Sequence, residues 1–409
     1  KGRETGLKLR TKSLLMTAAF ALAVTGCGDT TTPAEEVGTQ PEGVESREDD
    51  PTQQTSGQGT EEDHKEKETK GRKAALITDG SSAMDNGFNQ AALKGVETYA
   101  DAACVPYVCY SAREDTAEAY EAAVLEGIED DAELVVCVGP DFEKAVGSLQ
   151  EAYPDVYFLL LGGIPKDASG EEVTIESNVH CIIYKEEEAG YLVGYMSVLE
   201  GYRQFGFIGG EERRSAEKYG YGYLQGIDAA ARELEVSDEV QVDYWYADVS
   251  VANEEIAERS REWYQEGTEI IFACGGMLYE PVLASAETCD GMLIGADVDQ
   301  SGISERFLTS AKKGIDSSVI VALDDFFASG KKWPQELAGT AVPYGAGEKC
   351  ISLPVQNDAW RFQTATTSDY LQVLARLRSG DIKIVIETEE LPEMTITVVY
   401  HNQQEEKET

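Results

Sequence analysis

Basic residues are scarce in this sequence, and histidine is scarcer still. Its 409 residues hold 34 Lys and Arg against 76 Asp and Glu, a net charge of −42. A surface this negative repels phosphate backbones, and no basic stripe stands out to overcome it, so nucleic acid is excluded as a partner. Anionic ligands are disfavoured too, unless a local cationic pocket holds them. Three histidines, His64, His180 and His401, are too few for a His-rich metal site or a His-based triad. Cysteine occurs eight times, but never in a CxxC or Cys/His metal spacing. The HExxH, GxSxG and Walker patterns are missing, so the sequence points to no enzyme and no cofactor. Beyond the first thirty residues no apolar run approaches the roughly 20 residues a spanning helix needs. What is present is ordinary for a globular protein: 42% hydrophobic and 27% charged residues. At roughly 150 residues per domain there is room for two sizeable domains.

The chain opens with Lys8, Arg10 and Lys12, an apolar run from Leu14 to Val24, and Thr25-Gly26-Cys27. About 7–15 apolar residues after positive charges, closing on small residues, form an export signal. The Cys directly after Val-Thr-Gly resembles the bacterial lipobox, in which cleavage precedes the Cys and its thiol carries lipid. Residues 1–27 are therefore expected to be a lipoprotein signal peptide with Cys27 as the lipidation site. Lipidation there would anchor the protein on the external or periplasmic face of a membrane without a spanning helix. Residues 28–72 turn acidic and rich in Gly, Thr and Gln, which predicts a disordered tether. Of the other seven cysteines, Cys137, Cys181 and Cys274 sit in apolar runs and read as buried thiols. Cys104 and Cys109 are near enough to pair, but their spacing does not decide it.

From residue 73 onward, short apolar runs alternate with helical periods. Strand-like runs at 73–78, 105–110, 133–139 and 156–161 are separated by helical stretches at 87–100, 117–126 and 142–153. The series then restarts with runs at 205–210, 240–246, 270–274 and 292–295, with a helix around 216–234. Continuous apolar runs between amphipathic helices predict an α/β fold: two Rossmann-like lobes, each a parallel sheet flanked by helices, hinged around a ligand cleft. The expected boundaries are 73–185 for the N-terminal lobe, with a crossover return near 309–332. The C-terminal lobe takes 186–308 with a further contribution from 333–386, and 387–409 form a last strand and tail.

Six segments, in order, resemble the basic membrane protein family of lipoproteins, the nucleoside-binding components of ABC importers. They are Leu76-Ile-Thr-Asp79 with Asp85-Asn-Gly-Phe-Asn89; Tyr184-Lys-Glu-Glu-Glu-Ala-Gly-Tyr-Leu-Val-Gly194; Phe205-Gly-Phe-Ile-Gly-Gly210 with Tyr219-Gly-Tyr-Gly-Tyr-Leu-Gln-Gly226; Gly295-Ala-Asp-Val-Asp-Gln300; Leu308-Thr-Ser-Ala-Lys-Lys313; and Leu377-Arg-Ser-Gly-Asp-Ile-Lys-Ile384. The resemblance covers about residues 73–386. It implies the type I periplasmic-binding fold, a purine nucleoside as ligand and a membrane permease as partner. Gly87 departs from the family's usual Ser, so any contact from that hydroxyl is missing here.

A nucleoside offers a flat base and vicinal ribose hydroxyls. Stacking on an aromatic face contributes about 1–3 kcal/mol per base and needs no charge. Phe88, which alone would read as core, is expected to be one plate; Tyr219, Tyr221 or Tyr223 would supply the other, and the sequence does not choose. Asp297, directly after a strand, suits the ribose hydroxyls. Lys313 is assigned to ribose oxygen or to Asp297, with Lys312 as the alternative; read alone, either is an exposed helix residue. Asp79, Asp85 and Asn89 are candidates for the base edge, Asp85 equally for a helix cap. Phe142, in Gly139-Pro-Asp-Phe142 after another strand, is as well suited to packing as to the rim. The competing reading within the same fold is a sugar- or autoinducer-binding lipoprotein acting in transport or sensing.

Overall fold

The computed structural model describes residues 73–401 apart from 81–82, 212–213, 250, 357 and 388–390. The expected signal peptide, Cys27 and the expected tether lie outside the described residues.

The first sheet consists of β1 (Ala74–Thr78), β2 (Tyr107–Ser111), β3 (Leu134–Val138), β4 (Tyr157–Leu161), β5 (Val179–Tyr184) and β11 (Thr340–Tyr344). Its order is β2-β1-β3-β4-β5-β11, parallel throughout. The second contains β6 (Gln204–Gly209), β7 (Gln241–Tyr246), β8 (Ile270–Cys274), β9 (Met292–Asp297), β10 (Phe307–Lys313), β12 (Ile351–Ser352) and β13 (Thr397–Tyr400). Its order is β13-β7-β6-β8-β9-β10-β12, parallel except for β12 against β10. The all-buried runs β1, β3 and β8 have this form because each is covered on both faces.

Helices α1 (Phe88–Ala103) and α8 (Ile315–Ala328) cover one face of the first sheet, and α2 (Ala117–Glu129) and α3 (Glu143–Ala152) the other. In the second lobe α4 (Glu186–Glu200), α5 (Arg214–Glu233) and α9 (Thr367–Ser379) share one face. Helices α6 (Glu254–Glu266) and α7 (Tyr279–Cys289) take the other. The crossing of α4 on α5 is close: a Cβ on Gly222 would lie 2.0 Å from the Glu187 carbonyl oxygen. Side-chain oxygens start α2, α6 and α9, with Thr116, Asn253 and Thr366 each accepting a backbone N–H of the first turn.

Of the segment 309–332 expected to return to the first lobe, α8 does so, but the opening residues do not. Phe307–Lys313 remains in the second sheet as β10, so Lys312 and Lys313 lie on a strand, not on an exposed helix. The polar Thr309, Ser310 and Lys313 hide this strand from a search for apolar runs. The first lobe regains α8, packed beside α1, and then also β11, which lies in the 333–386 segment expected in the second lobe. Pro343 is tolerated in β11 because that strand is an edge. None of the seven described cysteines is paired. No helix among the described residues is long and apolar enough to cross a membrane.

Candidate functional site

Both sheets reverse strand order beside their first strands, at β1/β3 and at β6/β8. Loops leaving the carboxyl ends of such neighbours diverge and open a crevice. The two crevices face each other across a cavity of about 680 Å³, lined from both lobes. Its size lies within the range of roughly 300–1,000 Å³ usual for small-molecule sites.

Asp297 ends β9 with a backbone φ of +67°. The Ala296 carbonyl accepts the Val298 N–H at 2.7 Å around it, which closes a tight γ-turn. A non-glycine residue in this conformation is strained, and such strain collects at functional positions. The turn aims the carboxylate into the cavity. One oxygen, Oδ1, is pinned twice, by the Lys313 ammonium at 2.8 Å and by the Tyr219 hydroxyl at 2.9 Å. No hydrogen bond among the described residues reaches its other oxygen, Oδ2.

Lys313 is buried at the end of β10 and is paired a second time, to Glu186 at 3.3 Å. Its ammonium also lies 4.7 Å from the Phe88 ring centre and 5.3 Å from those of Tyr184 and Tyr219. Burial works against the charged form, but the carboxylates of Asp297 and Glu186 outweigh it and hold the pKa above the ordinary lysine value. From Glu186 the ion pairs continue to Lys218, which also donates to the Tyr184 carbonyl at 2.8 Å. Lys312, on the opposite face of the strand, pairs with β12 and does not line the cavity.

Phe88 lines the cavity at the start of α1, its ring edge-on to Tyr184 at 5.8 Å. Asp79 and Asn89 also line it and are bonded together, the Asn89 amide donating to Asp79 at 2.9 Å. Asp85 lines it as well, but its carboxylate accepts the backbone N–H groups of Gly87, Asn89 and Gln90. Its side chain thus serves first-turn donors of α1 from two positions before the N-cap Gly87, while it also lines the cavity. Burial raises its pKa against those three hydrogen bonds.

The tyrosines divide differently from expectation. Tyr219 reaches the cavity, but its hydroxyl is committed to Asp297 and its ring meets Phe272 edge-on at 5.6 Å. It orients the carboxylate instead of presenting a stacking face. Tyr223 is core: fully buried among Phe205, Phe207 and Phe272, with no partner for its hydroxyl among the described residues. It lies one helical turn, about 5.4 Å, beyond Tyr219, which carries it past the strand ends and under the sheet. Tyr221 is buried away from the cavity lining. Phe142 is buried against Tyr120, in the core of the first lobe.

Sequence reasoning missed Glu186, the middle of the ion-pair chain. It lies two residues after β5, near the carboxyl end of a strand as Asp79 is after β1, and that position was the available signal. In a run of three Glu at a helix start it reads as a dipole-compensating acid. Also missed was a bridge between the lobes. Asn86, with φ +50°, donates from its side chain to the Tyr279 hydroxyl at 3.4 Å, and its carbonyl accepts from Gln300 at 3.2 Å. Substituting Asn86→Gly keeps that backbone conformation accessible and removes the side-chain half of the bridge. Ligand dissociation is expected to quicken by about two- to five-fold, the loss of one modest hydrogen bond. Stopped-flow release rates equal to those of the parent protein would refute a role in closure.

Three chain segments pass between the lobes and are tied to one another. Lys313 joins Glu186, the Lys185 N–H donates to Tyr344, and Glu188 accepts the Ala346 N–H. The ion-pair chain behind the cavity is thus also the fastening of the hinge.

A family model described as "ABC transporter substrate-binding protein PnrA-like" matches residues 72–393. Basic membrane protein B of Borreliella burgdorferi is 27% identical over 218 residues, 52% of this chain and 59% of that protein. The chain thus matches little more than half the length of that relative. The ABC transporter nucleoside-binding protein BmpA of Lactococcus lactis is 22% identical over 264 residues, 61% of this chain and 69% of its own. Among solved structures, an ABC transporter solute-binding protein of Aeropyrum pernix aligns with a TM-score of 0.66 at 15% identity. That alignment covers 78% of this chain and 94% of the other, and it establishes likeness of fold.

Proposed function

This chain belongs to the PnrA-like family of ABC transporter substrate-binding proteins, and from that premise we propose that it captures a purine nucleoside between its lobes for uptake. One observation carries the reading: Asp297 lines the cavity with its Oδ1 pinned by Lys313 and Tyr219. A carboxylate held this way is a preorganised acceptor for vicinal hydroxyls, and charge-assisted bonds of that kind are the strong ones. Phe88 supplies an aromatic face for the base, and the Asp79–Asn89 pair meets its polar edge. The nucleoside-binding name of the Lactococcus lactis relative supports the same ligand class.

The protein performs capture without chemistry. Closure of the lobes alters the surface that a membrane permease recognises, and lipid on Cys27 keeps the domain near that permease. A phosphorylated ligand is disfavoured, because Asp79, Asp85, Asp141, Glu211 and Glu280 all line the cavity. Calorimetric titration of protein unfolded and refolded to strip ligand tests this directly. Adenosine, guanosine and inosine should give heat, while ribose alone and adenosine monophosphate should not. Heat from free sugars and none from nucleosides would overturn the proposal in favour of a sugar-binding protein of the same fold.

A further inference from the structure

The second lobe brings one ring to the cavity, Tyr219, and that ring is turned edge-on to Phe272 with its hydroxyl on Asp297. Tyr120, the other ring lining the cavity, belongs like Phe88 to the first lobe, so among the described residues the second lobe has only aliphatic groups left to present as an opposing face. Those the second lobe offers are Ala216, Val249, Val251, Ala252, Met277 and Leu278.

The two lobes repeat one local design here. After β3 the chain runs Gly139-Pro140-Asp141-Phe142, and after β8 it runs Gly275-Gly276-Met277-Leu278. Both turns open on a glycine with positive φ, +109° and +138°, and both make one tight turn that ends in a buried apolar residue, Phe142 or Leu278. Asp141 and Met277 thus occupy equivalent positions on opposite walls, and both line the cavity. Met277 is half-buried there, unlike the fully buried Leu278 beside it. Its unbranched thioether is polarizable and adapts to a flat ring, with sulfur–aromatic contacts that are favourable in their own right.

We propose that Met277 covers the second face of the base, so that the ligand is held between a phenyl ring and a thioether. This rests on the nucleoside reading above. The protein then distinguishes ligands by whether they carry an aromatic ring, through a residue that has no part in holding ribose.

The test combines titration with oxidation footprinting on the full chain. Met277→Ala is expected to weaken adenosine and inosine by about three- to thirty-fold, with Met277→Leu within about three-fold of the parent. Thermal midpoints should match the parent in both variants. In the unsubstituted protein, adenosine should slow peroxide oxidation of Met277 and leave Met394, which lies outside the cavity, unaffected. Undiminished nucleoside affinity in Met277→Ala, or oxidation of Met277 at the same rate with and without adenosine, would overturn this inference alone. Absence of nucleoside binding in the unsubstituted protein would overturn the underlying reading, and this inference with it.

Discussion

Asp297→Ala is expected to weaken nucleoside binding by about two to three powers of ten, and free-base binding by less than about three-fold. The difference follows from what the carboxylate faces. Oδ1 is held by Lys313 and Tyr219 whether or not ligand is present, so the energy gained on binding comes through Oδ2. Hydrogen bonds to a charged group contribute about 1.5–3 kcal/mol each, and a ribose can offer two hydroxyls. Folding should survive the change, because Lys313 keeps Glu186 as a partner. Alanine is, however, less at ease than aspartate in the left-handed backbone at φ +67°. Asp297→Asn is the companion variant: it tolerates that backbone and removes only the charge. Calorimetry with adenosine and adenine, run in parallel on both variants, separates the outcomes. Equal losses for nucleoside and base would remove Asp297 from the ribose.

The second large effect is on stability. Lys313→Met should lower the free energy of unfolding at pH 7.5 by about 3–5 kcal/mol, the usual cost of leaving a buried charge without its partner. Methionine fills much of the space among the rings of Phe88, Tyr184 and Tyr219, so the loss is electrostatic more than steric. Without the ammonium, Glu186 and Asp297 are left with Lys218 and the Tyr219 hydroxyl respectively. Urea unfolding at pH 7.5 measures this loss. A variant within about 1 kcal/mol of its parent at pH 7.5 would show that the ion-pair chain does not fasten the hinge. Binding should fall as well, because Asp297 loses one of the two groups that orient it.

The structure gathers five of the residues singled out in the sequence around one cavity. Asp79, Phe88, Asn89, Asp297 and Lys313 all line the cavity, since an open parallel sheet delivers the residues after its strands to one edge. Failures arose where one residue has two plausible neighbours. Tyr219 and Tyr223 share a helix face, and helical periodicity cannot say where along that face the sheet ends. Lys313 reads as an exposed lysine until β10 is placed between β9 and β12. The Asn86 bridge joins residues 193 and 214 positions apart. Nothing local to Asn86 announces Tyr279 or Gln300.

By itself the sequence determined that the protein has two α/β lobes. Continuous apolar runs can be satisfied only by sheets covered on both faces, and that is a local, periodic property of the chain. It also determined which strand ends carry carboxylates. Tertiary structure alone decided which of these groups act together. The tight turn that aims Asp297, the two partners that pin its Oδ1, and the burial that makes the Lys313–Glu186 pairing matter all depend on segments meeting across the hinge. Electrostatic strength depends on distance and on the exclusion of water, and neither is written in the order of residues.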